Sequence, residues 1–153
     1  YTDAAADVQL ERPVNKGVVI VRSTFIHESQ TLDALVAGEE PGAENLHNTL
    51  KVFRANASYM PSTRANFTLG YFNTSGTSDG LLYPADPITG SANGSPQSYG
   101  GVGEFDFNPW QNTRLGVQYT VYGKFNGGSH SYDGAGRNAS NNDALFVFAW
   151  VAF

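Results

Sequence analysis

Nine charged or amide side chains form the only set in this chain whose types and spacing suggest shared chemistry. They are Arg22, Glu28, Arg54, Arg64, Glu104, Asp106, Arg114, Gln118 and Lys124. Each alternates with apolar neighbours, as Arg114, Gln118 and Lys124 do against Leu115, Val117, Tyr119, Val121 and Phe125. In an extended strand residues i and i+2 share a face, so these acids and bases would line one surface. Opposed basic and acidic rows create a transverse field that sorts solutes by charge and orientation. The same charges could instead pair with one another and fill the space between the strands.

Other chemistries have less support. The chain contains no HExxH and no glycine-rich phosphate loop. It has no cysteine, which removes disulfides, thiolate metal sites, cysteine nucleophiles and covalent haem attachment. His27, His47 and His130 lie on separate segments and would have to converge with carboxylates such as Glu28 or Asp133 to hold a metal. The stretch DGAGRNASNND lacks the ligand spacing of a calcium loop and reads as a polar hairpin loop. A net charge of −5 argues against nucleic acid as a partner. The expectation is a protein that is not an enzyme and needs no cofactor and no metal.

The elements that would position the nine residues are strands. Alternation of period two recurs in RLGVQYTVYGKF, RANFTLGY, VFRANASY and GVGEFDFNPW, and less regularly from Gly17 to Gln30. With the terminal run ALFVFAWVAF this makes about six strands. Residues 1–16 read as a polar N-terminal segment or turn, and residues 17–153 as the strand region. Hydrophobic residues are 41% of the chain and charged residues only 15%, against about 25% charged in soluble domains. The strands look about 10–14 residues long, twice the usual globular length of about 5–6.

The connections alternate between short and long. MPSTR and NPWQN are short. DALVAGEEPGAENLHN, NTSGTSDGLLYPADPITGSANGSPQS and NGGSHSYDGAGRNASNND are long. Short turns at one end and long loops at the other are the pattern of outer-membrane barrels. Trp110, Tyr59, Tyr71 and Phe125 fall near strand ends, where interfacial aromatic girdles form. The expected fold is therefore an all-β, antiparallel, up-and-down transmembrane β-barrel. A soluble β-barrel or sandwich, holding a ligand or partner, is the alternative.

The chain end carries a second pattern. Leu145, Val147, Ala149, Val151 and Phe153 alternate up to a terminal aromatic, which resembles the C-terminal assembly signal of bacterial outer-membrane proteins. On the other face Phe146, Phe148 and Trp150 stand where a polar lumen would be expected. The tail DGAGRNASNNDALFVFAWVAF, with NPWQNTRLGVQYTVYGKFNG before it, resembles the C-terminal part of a proteobacterial outer-membrane porin-like family. Some members of that family are associated with c-type cytochromes. The resemblance implies an outer-membrane location and a function in passing solutes or sheathing an electron-transfer partner. It implies as partners outer-membrane lipid, the barrel-assembly machinery and a c-type cytochrome. It also implies a barrel larger than six strands, completed by a parent chain or by neighbouring subunits.

Overall fold

The computed structural model describes residues 1–38 and 42–152. Three two-residue turns, at 15–16, 63–64 and 111–112, each reverse the chain between antiparallel strands. They join β1 (Thr2–Val14) to β2 (Gly17–Thr31), β3 (His47–Ser62) to β4 (Ala65–Gly76), and β5 (Ser98–Trp110) to β6 (Thr113–Lys124). The last strand, β7 (Ala144–Val151), follows a long connection. The result is one seven-stranded antiparallel sheet in which every strand lies beside its sequence neighbours. The long connections contain a four-residue helix, α1 (Asp33–Val36), and a 3-10 turn at Ala139–Asn142.

Local chemistry explains the irregularities. Gly17 closes the first turn at φ +143, where a Cβ would lie 2.1 Å from the Met60 carbonyl oxygen. Pro61 and Pro109 fall inside two of the three register shifts among the described residues, between Tyr59 and Ser62 and between Phe107 and Trp110. Proline has no N–H to give to the ladder, so pairing slips where it occurs. Pro13 is accommodated because β1 is an edge strand.

Three expectations need correction. The strand count is seven rather than about six, because Thr2–Val14 forms β1 instead of a polar segment ahead of the first strand. Consequently β2 has a partner inside the chain, Thr2–Val14 running along Gly17–Ser29. Within the described residues the sheet is open, with β1 and β7 as unpaired edges and no closed barrel. The all-β antiparallel class and the alternation of short and long connections are present as read from the sequence.

Burial is inverted relative to an ordinary sheet protein. The register places Leu10, Val21, Ala57, Leu69, Tyr119 and Leu145 in one row on one face. Leu69 is 73% exposed there, and its neighbours on that face are also open. On the opposite face Asp106 is only 2% exposed, and Ser58 is buried too. The buried apolar residues, Leu32, Ala43, Tyr132 and Ala139, all lie outside the strands.

Candidate functional site

The site lies on the polar face. A hollow of about 540 Å³ crosses from β2 to β6, lined in part by Arg22, Arg54, Asn56, Glu104, Arg114 and Gln118. Cross-strand register assembles it. Arg22 lies opposite Asn56, Ser58 opposite Thr68, Thr68 opposite Glu104, and Glu104 opposite Gln118.

Its firmest part is a charge cluster on β5 and β6. Arg114 grips Asp106 in a bidentate fork, Nε to Oδ1 and Nη2 to Oδ2, both 2.9 Å. The same Nη2 donates to Glu104 Oε1 at 2.9 Å, and Gln118 Nε2 donates to Glu104 Oε2 at 2.6 Å. Asn66 Nδ2 adds a third donor to Asp106 at 3.0 Å. Arginine suits this position because its planar fork matches a carboxylate. Two carboxylates against one guanidinium leave the cluster with a formal charge of −1.

The other guanidiniums are arranged differently. Arg22 Nε donates to Gln9 Oε1 at 2.9 Å, and neither Arg22 nor Arg54 forms a salt bridge among the described residues. They are diagonal neighbours on adjacent strands, a relation that puts Cβ atoms about 7–8 Å apart. Two buried acceptors on this face, Asn56 Oδ1 and Asn66 Oδ1, have no donor among the described residues.

The remaining sequence-derived positions separate from this group. Glu28 lies toward the loop end, opposite Asp3 and Leu50, and accepts from Gln30 Nε2. Arg64 sits in a turn and helps line a second hollow of about 900 Å³ with Trp110, Arg114 and Trp150. Lys124, expected on the inner face, pairs opposite Tyr99 across a register shift and donates to Gln97 Oε1 at 3.0 Å. The shift turns it away from the row that Tyr122 ends.

Along β7, Leu145, Val147, Ala149 and Val151 are exposed on the apolar face. Phe153 lies outside the described residues. Phe146, Phe148 and Trp150 occupy the polar face opposite Gln118, Gly116 and Arg114. Phe146 and Phe148 stack with centroids 5.6 Å apart, and the Arg114 guanidinium lies 5.2 Å from the Phe148 centroid. Gly116 makes this possible, because a Cβ there would meet Phe148 Cζ at 2.1 Å.

Sequence reasoning missed the first strand's contribution. Gln9 and Asp7 face the same side as Arg22 and Thr24, and Thr24 Oγ1 donates to Asp7 Oδ1 at 2.6 Å. The signal was present as Ala4, Ala6, Val8 and Leu10 alternating with Asp3, Asp7, Gln9 and Glu11. Alanine and the flanking acids weakened its contrast.

The loops were also read too simply. At the long-loop end Asp79, fully buried, accepts from the backbone N–H groups of Glu44, Asn45, Leu81 and Leu82 and from the Asn48 amide. Burial alone would raise its carboxyl, but the Glu44 and Leu82 donors and the Asn48 amide outweigh burial. They hold it well below the usual carboxylate range. Asp133 is held down in the same way, with the N–H groups of Ala135, Arg137 and Ile88 overcoming burial. Tyr132 donates its hydroxyl to the Ile88 carbonyl at 2.7 Å. Its ring continues an edge-to-face series through Phe125 and Tyr122 to Phe72. Phe125, expected in an interfacial girdle, therefore packs beneath a folded loop cap. Ile88 is held at φ 82, a conformation that a β-branched residue rarely adopts.

No known family, curated protein or solved structure matches this chain.

Proposed function

We propose that the chain is a wall segment of an outer-membrane, porin-type β-barrel whose polar face borders a path for small solutes. One observation carries this reading: the apolar side of the sheet is the exposed side, and the polar side holds the buried Asp106 and Ser58. Monomeric soluble proteins rarely expose apolar patches larger than about 300–600 Å². Seven strands at about 4.8 Å spacing make a face roughly 34 Å wide. The apolar positions run from Leu115 to Val121 on β6, roughly 20 Å at about 3.4 Å per residue. That approaches the apolar band of about 25 Å on membrane barrels. Lipid would cover it without requiring a protein partner across the whole face.

The polar face supports solute passage over a sealed interior. Among the described residues Arg22 and Arg54 have no carboxylate partner, whereas the β5 acids are already held by Arg114 and Gln118. Asn56 Oδ1 and Asn66 Oδ1 find no donor among the described residues, and water or a polar solute would supply one. The function follows from walls that are wet inside and greasy outside. The intact protein should require detergent for extraction and should conduct ions in planar bilayers. Conductance should shift in ion selectivity when Arg22 and Arg54 are replaced by Gln. Recovery in the aqueous fraction without detergent would overturn the membrane location, and detergent dependence without conductance would overturn solute passage.

A second reading is favoured by the aromatic side chains of β7. Phe146 is 58% and Trp150 57% exposed on the face that carries Arg114 and Gln118. A water-filled channel has no need of them. A protein sheathed by the barrel, such as an electron-transfer partner, could cover them. Co-purification of a haem protein with the closed, non-conducting barrel would decide for this reading.

A further inference from the structure

Two long sheet edges are unpaired, and their directions restrict what can complete them. β1 runs from the long-loop end at Thr2 to the turn end at Val14, where it meets Gly17. β7 also runs from the long-loop end, at Ala144, to the turn end at Val151, opposite Thr113. With seven antiparallel strands in sequence order, the two edges must be parallel to each other. Joining them directly would create one parallel pair in an otherwise antiparallel wall.

A second copy offers no escape. In a membrane every copy keeps its loops on the same side, so copies are related by rotation about the membrane normal. Such a rotation leaves strand direction unchanged. An edge of one copy would again meet an edge of the next in parallel.

Resting on the barrel reading, we infer that the gap between β1 and β7 is filled by an odd number of antiparallel strands from further along the same polypeptide. The strand beside β1 runs from the turn end up to the long-loop end and connects to Thr2 through a loop on that side. Single-chain bacterial barrels have even strand numbers from eight upward, so one added strand is the smallest solution. The chemistry of the edges fits further strands better than lipid. In the bilayer an unpaired backbone N–H or C=O costs too much to leave open. The polar side of β1 also carries Asp7 and Glu11 flanking Gln9, so its neighbour should present basic or amide side chains there. On β7 the neighbour must make room for Phe148 and Trp150, as Gly116 does on β6.

The test uses the intact protein in the outer membrane of whole cells. An epitope is inserted immediately before Tyr1, in the 77–97 loop, or in the 111–112 turn. Antibody should reach the first two on intact cells and should reach the turn only after permeabilisation. Because the chain has no cysteine, cysteines can then be placed pairwise at Ala6, Val8 or Leu10 with Leu145, Val147 or Ala149. A short cross-linker should join none of these pairs, while the register pair Val21 and Ala57 should react. A surface-exposed 77–97 loop with a buried Tyr1 tag, or any β1–β7 cross-link, would overturn the odd complement and leave the barrel standing. A 77–97 tag that antibody cannot reach on intact cells would overturn the barrel reading itself.

Discussion

Replacing Leu69 by Arg distinguishes a lipid-facing sheet from a water-facing one more sharply than any other single substitution. Leu69 lies in the middle of β4's row on the apolar face, with Phe67 and Ala65 toward the turns and Tyr71 and Asn73 toward the loops. At about 3.4 Å per residue the band's edges are roughly 14 Å away toward the turns and roughly 7 Å away toward the loops. An arginine there would sit near the bilayer midplane, where lipid-facing Arg costs about 2–4 kcal/mol. At about 1.4 kcal/mol per tenfold, that is a roughly 30- to 700-fold shift in the folding equilibrium. If the face met water, Leu69, already 73% exposed, would accept Arg within about 0.5 kcal/mol. The matched control is Thr120→Arg, which enters the hollow near Glu104 rather than lipid. Urea titration of the intact protein in phospholipid vesicles measures both. A cost below about 0.5 kcal/mol for Leu69→Arg, or a greater cost for Thr120→Arg, would refute the assignment of faces.

Three further outcomes follow from the site and the loop cap. Gly116→Val should displace Phe148 and loosen β7 from β6, and adding Phe148→Ala should restore much of the loss, as measured by urea midpoints. Arg114→Gln leaves buried Asp106 with the Asn66 amide. Breaking a fully buried pair costs about 3–5 kcal/mol, but the Arg114 side chain is 44% exposed, so solvent screening should reduce this to about 1–3 kcal/mol. A double-mutant cycle with Asp106→Asn should recover part of it. Asp79 and Asp133 bind protons less readily folded than unfolded. Their contribution to the loop cap is thus complete above about pH 4, the ordinary carboxylate value, and is lost as pH falls through the lower folded values. Rate-corrected amide exchange at Leu82 and Ala135 should accelerate in acid, and Asp79→Asn should remove that response at Leu82.

The legible parts of the structure were those written with period two and strong contrast. RLGVQYTVYGKF sets Val117 against Gln118 so clearly that the two faces of β6 from Arg114 to Tyr122 follow from alternation alone. β1 was missed because Ala4 and Ala6 contrast little with Asp3 and Asp7, although Val8 and Leu10 complete the pattern. Lys124 was misplaced because alternation was carried through to it, whereas the register shifts between Tyr99 and Gly100. A one-residue slip of this kind flips every side chain beyond it. The loop cap was illegible for a different reason: its order comes from Asp79 gathering N–H groups from two separate connections, Glu44 on one and Leu82 on the other. Only the Asp-Gly pairs at 79–80 and 133–134 hinted at turns built around a carboxylate.

The inverted burial also bears on what holds the sheet together. Its strands bury no apolar side chain fully, and the apolar residues that are buried, such as Leu32 and Tyr132, belong to the loops. The sheet itself is joined by backbone ladders and by the polar contacts of Arg114, Asp106, Ser58 and Thr68 on one face. A net hydrogen bond contributes only about 0.5–1.5 kcal/mol. Backbone ordering costs about 1–2 kcal/mol per residue, so these bonds alone leave the sheet short of the driving force that a core supplies elsewhere. Side chains such as Leu69, Phe67 and Val147 would each yield about 1.5–3 kcal/mol on leaving water. For these exposed side chains that gain can come only from what covers the sheet. Folding and insertion should therefore be one event, with circular dichroism showing little sheet in detergent-free buffer and full sheet on adding vesicles. A stable, fully formed sheet in plain buffer would show that something other than lipid covers the apolar face.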